Sequence, residues 1–300
     1  MKILGNVVRR NLKLFFKDKG MFFSSLITPI LLLVLYATFL AKVYKDSFVS
    51  SLPQGMDIPE KLIDGTVFSQ LISALLAVSC VTVSFCANLL MIHDKANSSI
   101  RDFTVSPVRR STLAAGYYLA SAGSTLIVTF TALAACFGYL ALKGWYLSFT
   151  DVLFVILDVF LLTLFGTALS SCLNFFLSTN GQASAVGTIV SAGYGFICGA
   201  YMPIASFGDG LQKVLSFLPG TYGTCLIKTH MMRGVFAEME NIGFPSQVVT
   251  AIRDSIDCNI YFFGNFVPVW VMYTVMGGAI LLLTGLFVLF HVLKKNARAA

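Results

Sequence analysis

Asp158 sits deep inside a long apolar run of this 300-residue chain, where an unpaired charge costs about 2.5 to 3.5 kcal/mol on insertion scales. A carboxylate there suits a proton relay. No lysine, arginine or histidine within the apolar runs is an obvious partner for it, so a structural hydrogen bond or a hydrated outer vestibule is the competing role. Upstream, Ser73, Ala77, Cys80, Ser84 and Asn88 recur at helical steps and share one face. Thr188, Ser191, Ala192, Gly195 and Gly199 make a similar small-residue line, ending in G-x-x-x-G. Small side chains let helices approach closely. The same stripes could wall a conduit for a partly polar substrate, with Ser84, Asn88, Ser191 and Tyr194 as the residues facing it.

Other reactive groups are sparse. His93, His230 and His291 are too scattered to suggest a metal site, and there is no H-E-x-x-H. No G-x-x-x-x-G-K-[ST] is present to cradle nucleotide phosphates, so energy for uphill movement must come from elsewhere. Of seven cysteines, Cys80, Cys86, Cys136, Cys172 and Cys198 lie in apolar runs, where a thiol behaves as a small apolar group. Cys225 and Cys258 fall outside them: a disulfide could form in an oxidising compartment if their geometry allows, and two partly buried free thiols are the other reading.

The elements that must position these groups are six long apolar segments. At about 1.5 Å per residue, some 20 residues match a hydrocarbon core of roughly 30 Å. Met21–Ala41, Gly65–Met91, Leu113–Leu142, Phe149–Leu177, Val186–Met202 and Phe263–Val292 each qualify as spans. With 57% hydrophobic and only 12% charged residues, the expected fold is an all-α, six-helix membrane protein rather than two globular domains. The first run is too long for a signal-peptide core and five more follow it.

Before the first span, residues 1–20 read as an amphipathic interfacial helix. Leu4, Val7, Val8, Leu12, Phe15 and Phe16 oppose Lys2, Asn6, Arg9, Arg10, Lys13 and Lys17. That helix should lie in the membrane plane with its basic side toward headgroups. Residues 21–300 form the six-helix domain. Within it, residues 203–262 read as an extracellular or re-entrant segment, with a short amphipathic helix (Phe207, Leu211, Val214, Leu215, Leu218) stopped by Pro219-Gly220. A second helix begins near Ser246, the candidate N-cap.

Basic residues cluster in the N-terminal twenty positions, in the loop after span two (Lys95, Arg101, Arg109, Arg110) and in the tail (Lys294, Lys295, Arg298). Because basic flanks are retained on the cytoplasmic side, both termini and that loop are expected in the cytoplasm. The net charge of +7 then reflects topology and attraction to anionic headgroups, and requires no nucleic acid.

The loop, residues 92–112, holds HDKANSSIRDFTVSPVRR. Ser98 or Ser99 can cap a single turn through Ile100, Arg101, Asp102 and Phe103 before Ser106-Pro107 ends it. Asp94-Lys95, Ser99 to Phe103 and Ser106 to Arg109 resemble the coupling-helix pattern of type-2 ABC exporter permeases. Gly199 to Tyr222, with Pro203 and Leu218-Pro219, is similar to that family's segment after span five, and Ser98 stands where glycine is expected. The resemblance covers nearly the whole chain.

It implies a permease subunit, itself not an enzyme, in the plasma membrane of a bacterial-type cell. It also implies a second permease subunit, identical or homologous, and ABC ATPase subunits that use ATP and magnesium. Ser98, Ser99, Ile100, Arg101, Asp102 and Phe103 would carry the coupling. The expected cargo is an amphipathic or hydrophobic compound such as a drug, peptide or lipid-like molecule. A polysaccharide or teichoic-acid permease of the same family, and an ion-gradient-driven transporter using Asp158, are the alternatives.

Overall fold

The computed structural model describes residues 2–50, 58–97, 99, 108–197, 199 and 201–296. The N-terminal amphipathic helix is α1 (Lys2–Lys17). Asp18 turns the chain into α2 (Lys19–Leu35) by accepting the Met21 amide at 3.1 Å. A π-helical turn (Tyr36–Leu40) carries α2 directly into α3 (Ala41–Ser50). Then come α4 (Glu60–Ala96), α5 (Arg110–Lys143), α6 (Phe149–Phe176) and α7 (Asn180–Ile197). After the short α8 (Asp209–Leu215) lie α9 (Pro219–Asn241), α10 (Ser246–Ser255), a hairpin of β1 (Tyr261–Phe262) and β2 (Asn265–Phe266), and α11 (Val269–Asn296).

Five helices among the described residues are long and apolar enough to cross a membrane: α2 with its continuation, α4, α5, α6 and α11. They coincide with five of the six predicted spans. The sixth, α7, begins at Asn180, ahead of the predicted Val186, and its first turn is polar. The chain is therefore an all-α multi-pass membrane protein.

α4 is the central post, buried on every side from Val67 through Phe85 apart from Phe68 and Gln70. Its small-residue stripe packs on α6, where Gly166 has no Cβ because one would stand 3.0 Å from Cys80 O and Val81 Cα. The hydroxyls of Thr66, Ser79, Thr82 and Ser84 bond to carbonyls one turn back on α4 itself, which satisfies these four in the buried part of the helix.

Residues 203–262 differ most from expectation. The predicted short helix is present as α8, and the helix at Ser246 as α10, capped by Pro245 with no side-chain hydrogen bond. Between them stands α9, which the sequence reading did not anticipate. α8 already ends at Leu215, and Pro219 occupies the first turn of α9, where its missing N–H costs nothing. α9 runs antiparallel to α6: Gly223 meets Leu162, whereas Gly234 meets Tyr146 before α6 begins. Its three basic residues each find a carboxylate, Lys228 with Asp257 at 3.2 Å, His230 with Asp158 at 2.6 Å and Arg233 with Asp151 at 3.5 Å.

Asp158 and the start of the last span depart from expectation, whereas for Cys225 and Cys258 the free-thiol alternative holds. Asp158 does have a basic partner, His230, and its second oxygen accepts Tyr273 Oη at 2.6 Å; one carboxylate thus ties α6 to α9 and α11. Cys225 and Cys258 are free thiols, Cys225 Sγ donating to Cys258 O at 3.3 Å. Burial pushes the Cys258 thiol well above its ordinary value. Phe263, the predicted start of the last span, is instead a hairpin-tip residue at φ 49°.

Candidate functional site

The loop joining α4 to α5 is held at its root by two adjacent side chains in the last turn of α4. Successive residues on a helix point roughly 100° apart, so Asp94 and Lys95 reach different neighbours. Asp94, 6% exposed, accepts Arg10 Nη1 at 2.8 Å and Nη2 at 3.2 Å from α1, and Tyr117 Oη at 2.5 Å from α5. This forked, charge-assisted pairing is the strong form of a hydrogen bond. It also holds Arg10 protonated, its pKa raised chiefly by the hydrogen bond to Asp94 against the opposing effect of burial.

Lys95 Nζ donates to three carbonyls at the end of α6: Asn174 O at 2.9 Å, Phe175 O at 2.8 Å and Leu177 O at 3.0 Å. The last carbonyls of a helix lack intrahelical donors and carry the negative end of its dipole. One ammonium satisfies them. Phe175 in turn packs against Phe290 and His291 of α11. The root of the loop is thereby fastened to α1 and α5 on one side and to α6, with α11 behind it, on the other.

α1 does not lie with its basic side wholly toward solvent. Val7, Asn11 and Phe15 are buried against the bundle, and Arg10 turns inward to Asp94. The docking is close because Gly116 of α5 leaves room for Val7. Lys2, Arg9, Lys13 and Lys17 stay exposed. Among the described residues, α1, the last turn of α4, the end of α6 and the His291 region of α11 consequently meet at one end of the bundle.

Of the proposed coupling residues, Ser99 is half-buried beside this root. Ser98, Ile100, Arg101, Asp102 and Phe103 lie outside the described residues. The proposed path residues fall into two groups. Ser84 and Asn88 are enclosed between α4 and α6: Ser84 Oγ lies 3.3 Å from Thr167 Oγ1, and Asn88 Nδ2 donates to Ser170 Oγ at 2.8 Å and Ser171 Oγ at 2.6 Å. Both are committed to a neighbouring helix of the same chain. Ser191 and Tyr194 belong to α7, away from that seam. Tyr194 is buried over the start of α9, its Oη 3.5 Å from Gly220 O, and Ser191 O accepts Tyr201 Oη at 3.4 Å.

The sequence reading missed Arg10 and Tyr117 as partners of Asp94. Arg10 sits on the polar side of a helical wheel, and nothing local distinguishes it from Arg9. Tyr117, seven residues into α5, lies on the same face as Ala114 and Ser121, both buried; that small-residue face is the signal that could have marked its side of α5 as internal.

A profile of the family described as "ABC-2 type transporter" matches residues 4–229. No curated protein matches the chain.

Proposed function

The chain belongs to the ABC-2 type transporter family, a permease component of an ABC transporter and not itself catalytic, and from that premise we propose that it is one half of an ATP-driven exporter. Two permease subunits pair, and two ATPase subunits at the cytoplasmic face receive the loop that follows α4. Closure of the ATPases on ATP pushes that loop. The observation that carries this mechanism is the double fastening at the loop root, with Asp94 held to Arg10 and Tyr117 and Lys95 to the end of α6.

A displacement of the loop is transmitted because its root cannot move without α1, α5 or α6. Nucleotide shifts the access equilibrium only by its differential affinity for the two states, and a rigid root keeps that difference from dissipating in local bending. The cargo is an amphipathic or hydrophobic compound. Supporting this are the apolar faces left open on two helices that pack on α4: Phe23, Ile27, Leu31 and Val34 on α2, and Ile189 beside Ala185, Thr188 and Ala192 on α7. The same faces are suited to a second permease subunit around a central path.

The test is to purify the chain with its P-loop ATPase and compare Phe103→Ala and Arg101→Ala with the parent. ATP hydrolysis that continues while ATP-driven transport fails is the expected result. Labelling that finds residues 98–107 on the external side of the cell would overturn the assignment.

A further inference from the structure

A cavity of about 620 Å³ opens between α2, α4 and α5, in the size range of small-molecule sites. The middle of its α5 wall is made of the small residues Thr131, Ala132, Ala135 and Cys136, between Ile127 and Val128 at one end and Tyr139 at the other. Phe22 and Pro29 of α2 form the opposite wall, and Leu71 and Leu75 of α4 the floor. From Phe22 to Tyr36 the slot follows α2 for roughly 20 Å at helical rise. Half of a hydrocarbon core of roughly 30 Å is shorter than that, so the slot is long enough to take a fatty acyl tail along its length. Its mouth faces outward between Ile30, Leu33 and Ile127, all at least half exposed.

The two ends of the slot are chemically different from its walls. At the α1 end, Phe16 lines the slot, and Lys13, Lys17 and Lys19 around it are exposed. Lys13 shares the helical face of Phe16, one turn away. Among the described residues none of the three lysines forms an ion pair, whereas Arg10 is paired with Asp94. At the far end Lys143 lies over the Phe68 ring, 5.7 Å from its centroid.

The geometry points to a binding site for one acyl chain of an anionic membrane lipid, its tail in the α2/α4/α5 slot and its headgroup among Lys13, Lys17 and Lys19. An apolar trough open to the bilayer selects the tail, and the lysine cluster at the α1 end selects the charge of the head. The site does not depend on the cargo or on the direction of transport proposed above.

The full chain in nanodiscs of mixed phosphatidylglycerol and phosphatidylcholine with identical tails tests it, with retained lipid counted by native mass spectrometry. The parent should retain phosphatidylglycerol over phosphatidylcholine by about tenfold, given the attraction of each surface lysine to an anionic leaflet. Ala135→Phe fills the slot and should lose retention of both lipids. Ala134→Phe, an exposed neighbour outside the slot, controls for helix disruption and should retain them. Lys13→Gln/Lys17→Gln/Lys19→Gln should keep the tail and lose the preference. Retention unchanged in Ala135→Phe, or no preference in the parent, overturns the site. ATP-driven transport of the parent is measured on the same samples with the ATPase: a parent that transports but retains no lipid sinks only this site, whereas a parent that retains lipid but does not transport sinks only the exporter mechanism.

Discussion

Removing the carboxylate of Asp94 should loosen α1, α4 and α5 together, and the effect can be separated from simple loss of a polar group. Three donors converge on it: two guanidinium N–H groups and the Tyr117 hydroxyl. Breaking a buried pair by deleting one partner costs about 3–5 kcal/mol. Here the Arg10 side chain is 34% exposed against 9% for Asp94, so water recovers part of that cost, and about 2–3 kcal/mol is expected for Asp94→Ala. Tyr117→Phe removes one charge-assisted bond, worth about 1.5–3 kcal/mol. Because both changes break the same contact, the double variant should fall short of the sum by about 1–2 kcal/mol, well outside the ~0.5 kcal/mol scatter of independent sites. Denaturant unfolding in mixed micelles supplies the stabilities. In the assembled transporter, Asp94→Ala should also reduce ATP-driven transport more than ATP hydrolysis. Additive stability changes, or a transport rate that tracks hydrolysis in every variant, would show that Asp94 is not the shared acceptor or that the root does not transmit the stroke.

Lys95→Met withdraws the donor from three carbonyls at the end of α6 and should cost about 2 kcal/mol; uncoupling comparable to that of Asp94→Ala is expected when hydrolysis and transport are measured side by side. Gly166→Ala places a methyl 3.0 Å from Cys80 O and Val81 Cα, so a loss of about 1–3 kcal/mol from overpacking the α4/α6 seam is expected in the same unfolding assay. Asp158→Leu leaves His230 and Tyr273 without their acceptor and should lower stability by about 3 kcal/mol, whereas Asp158→Asn should leave ATP-driven transport in place; transport that survives without an ATPase and dies in Asp158→Asn would favour the ion-gradient alternative. Burial keeps the Cys258 thiol protonated around neutral pH, so maleimide should label it only after unfolding, and non-reducing gels should show no shift from a Cys225–Cys258 bridge.

Hydropathy was sufficient to place α2, α4, α5, α6 and α11, because length and apolar content are properties of a single segment and the membrane core demands both. The Arg10–Asp94 and Phe175–His291 contacts bring α1, the last turn of α4, the end of α6 and α11 together, an arrangement compatible with the expected clustering of basic segments. α9 escaped because a hydropathy window counts Lys228, His230 and Arg233 as solvent-seeking. Each is paired with an acid far away in the chain, Asp257, Asp158 or Asp151, and no local pattern encodes a partner on another helix. Ser84 and Asn88 show the same limit from the other direction. Their shared face was plain from spacing, but only the packed bundle decided that α6, with its own Thr167, Ser170 and Ser171, covers it. The amino-acid order determined which segments enter the membrane and which end carries the positive charge, since both follow from transfer energies of individual residues. Tertiary structure decided which side of each helix is inside, because that depends on complementary groups brought together only when the helices meet.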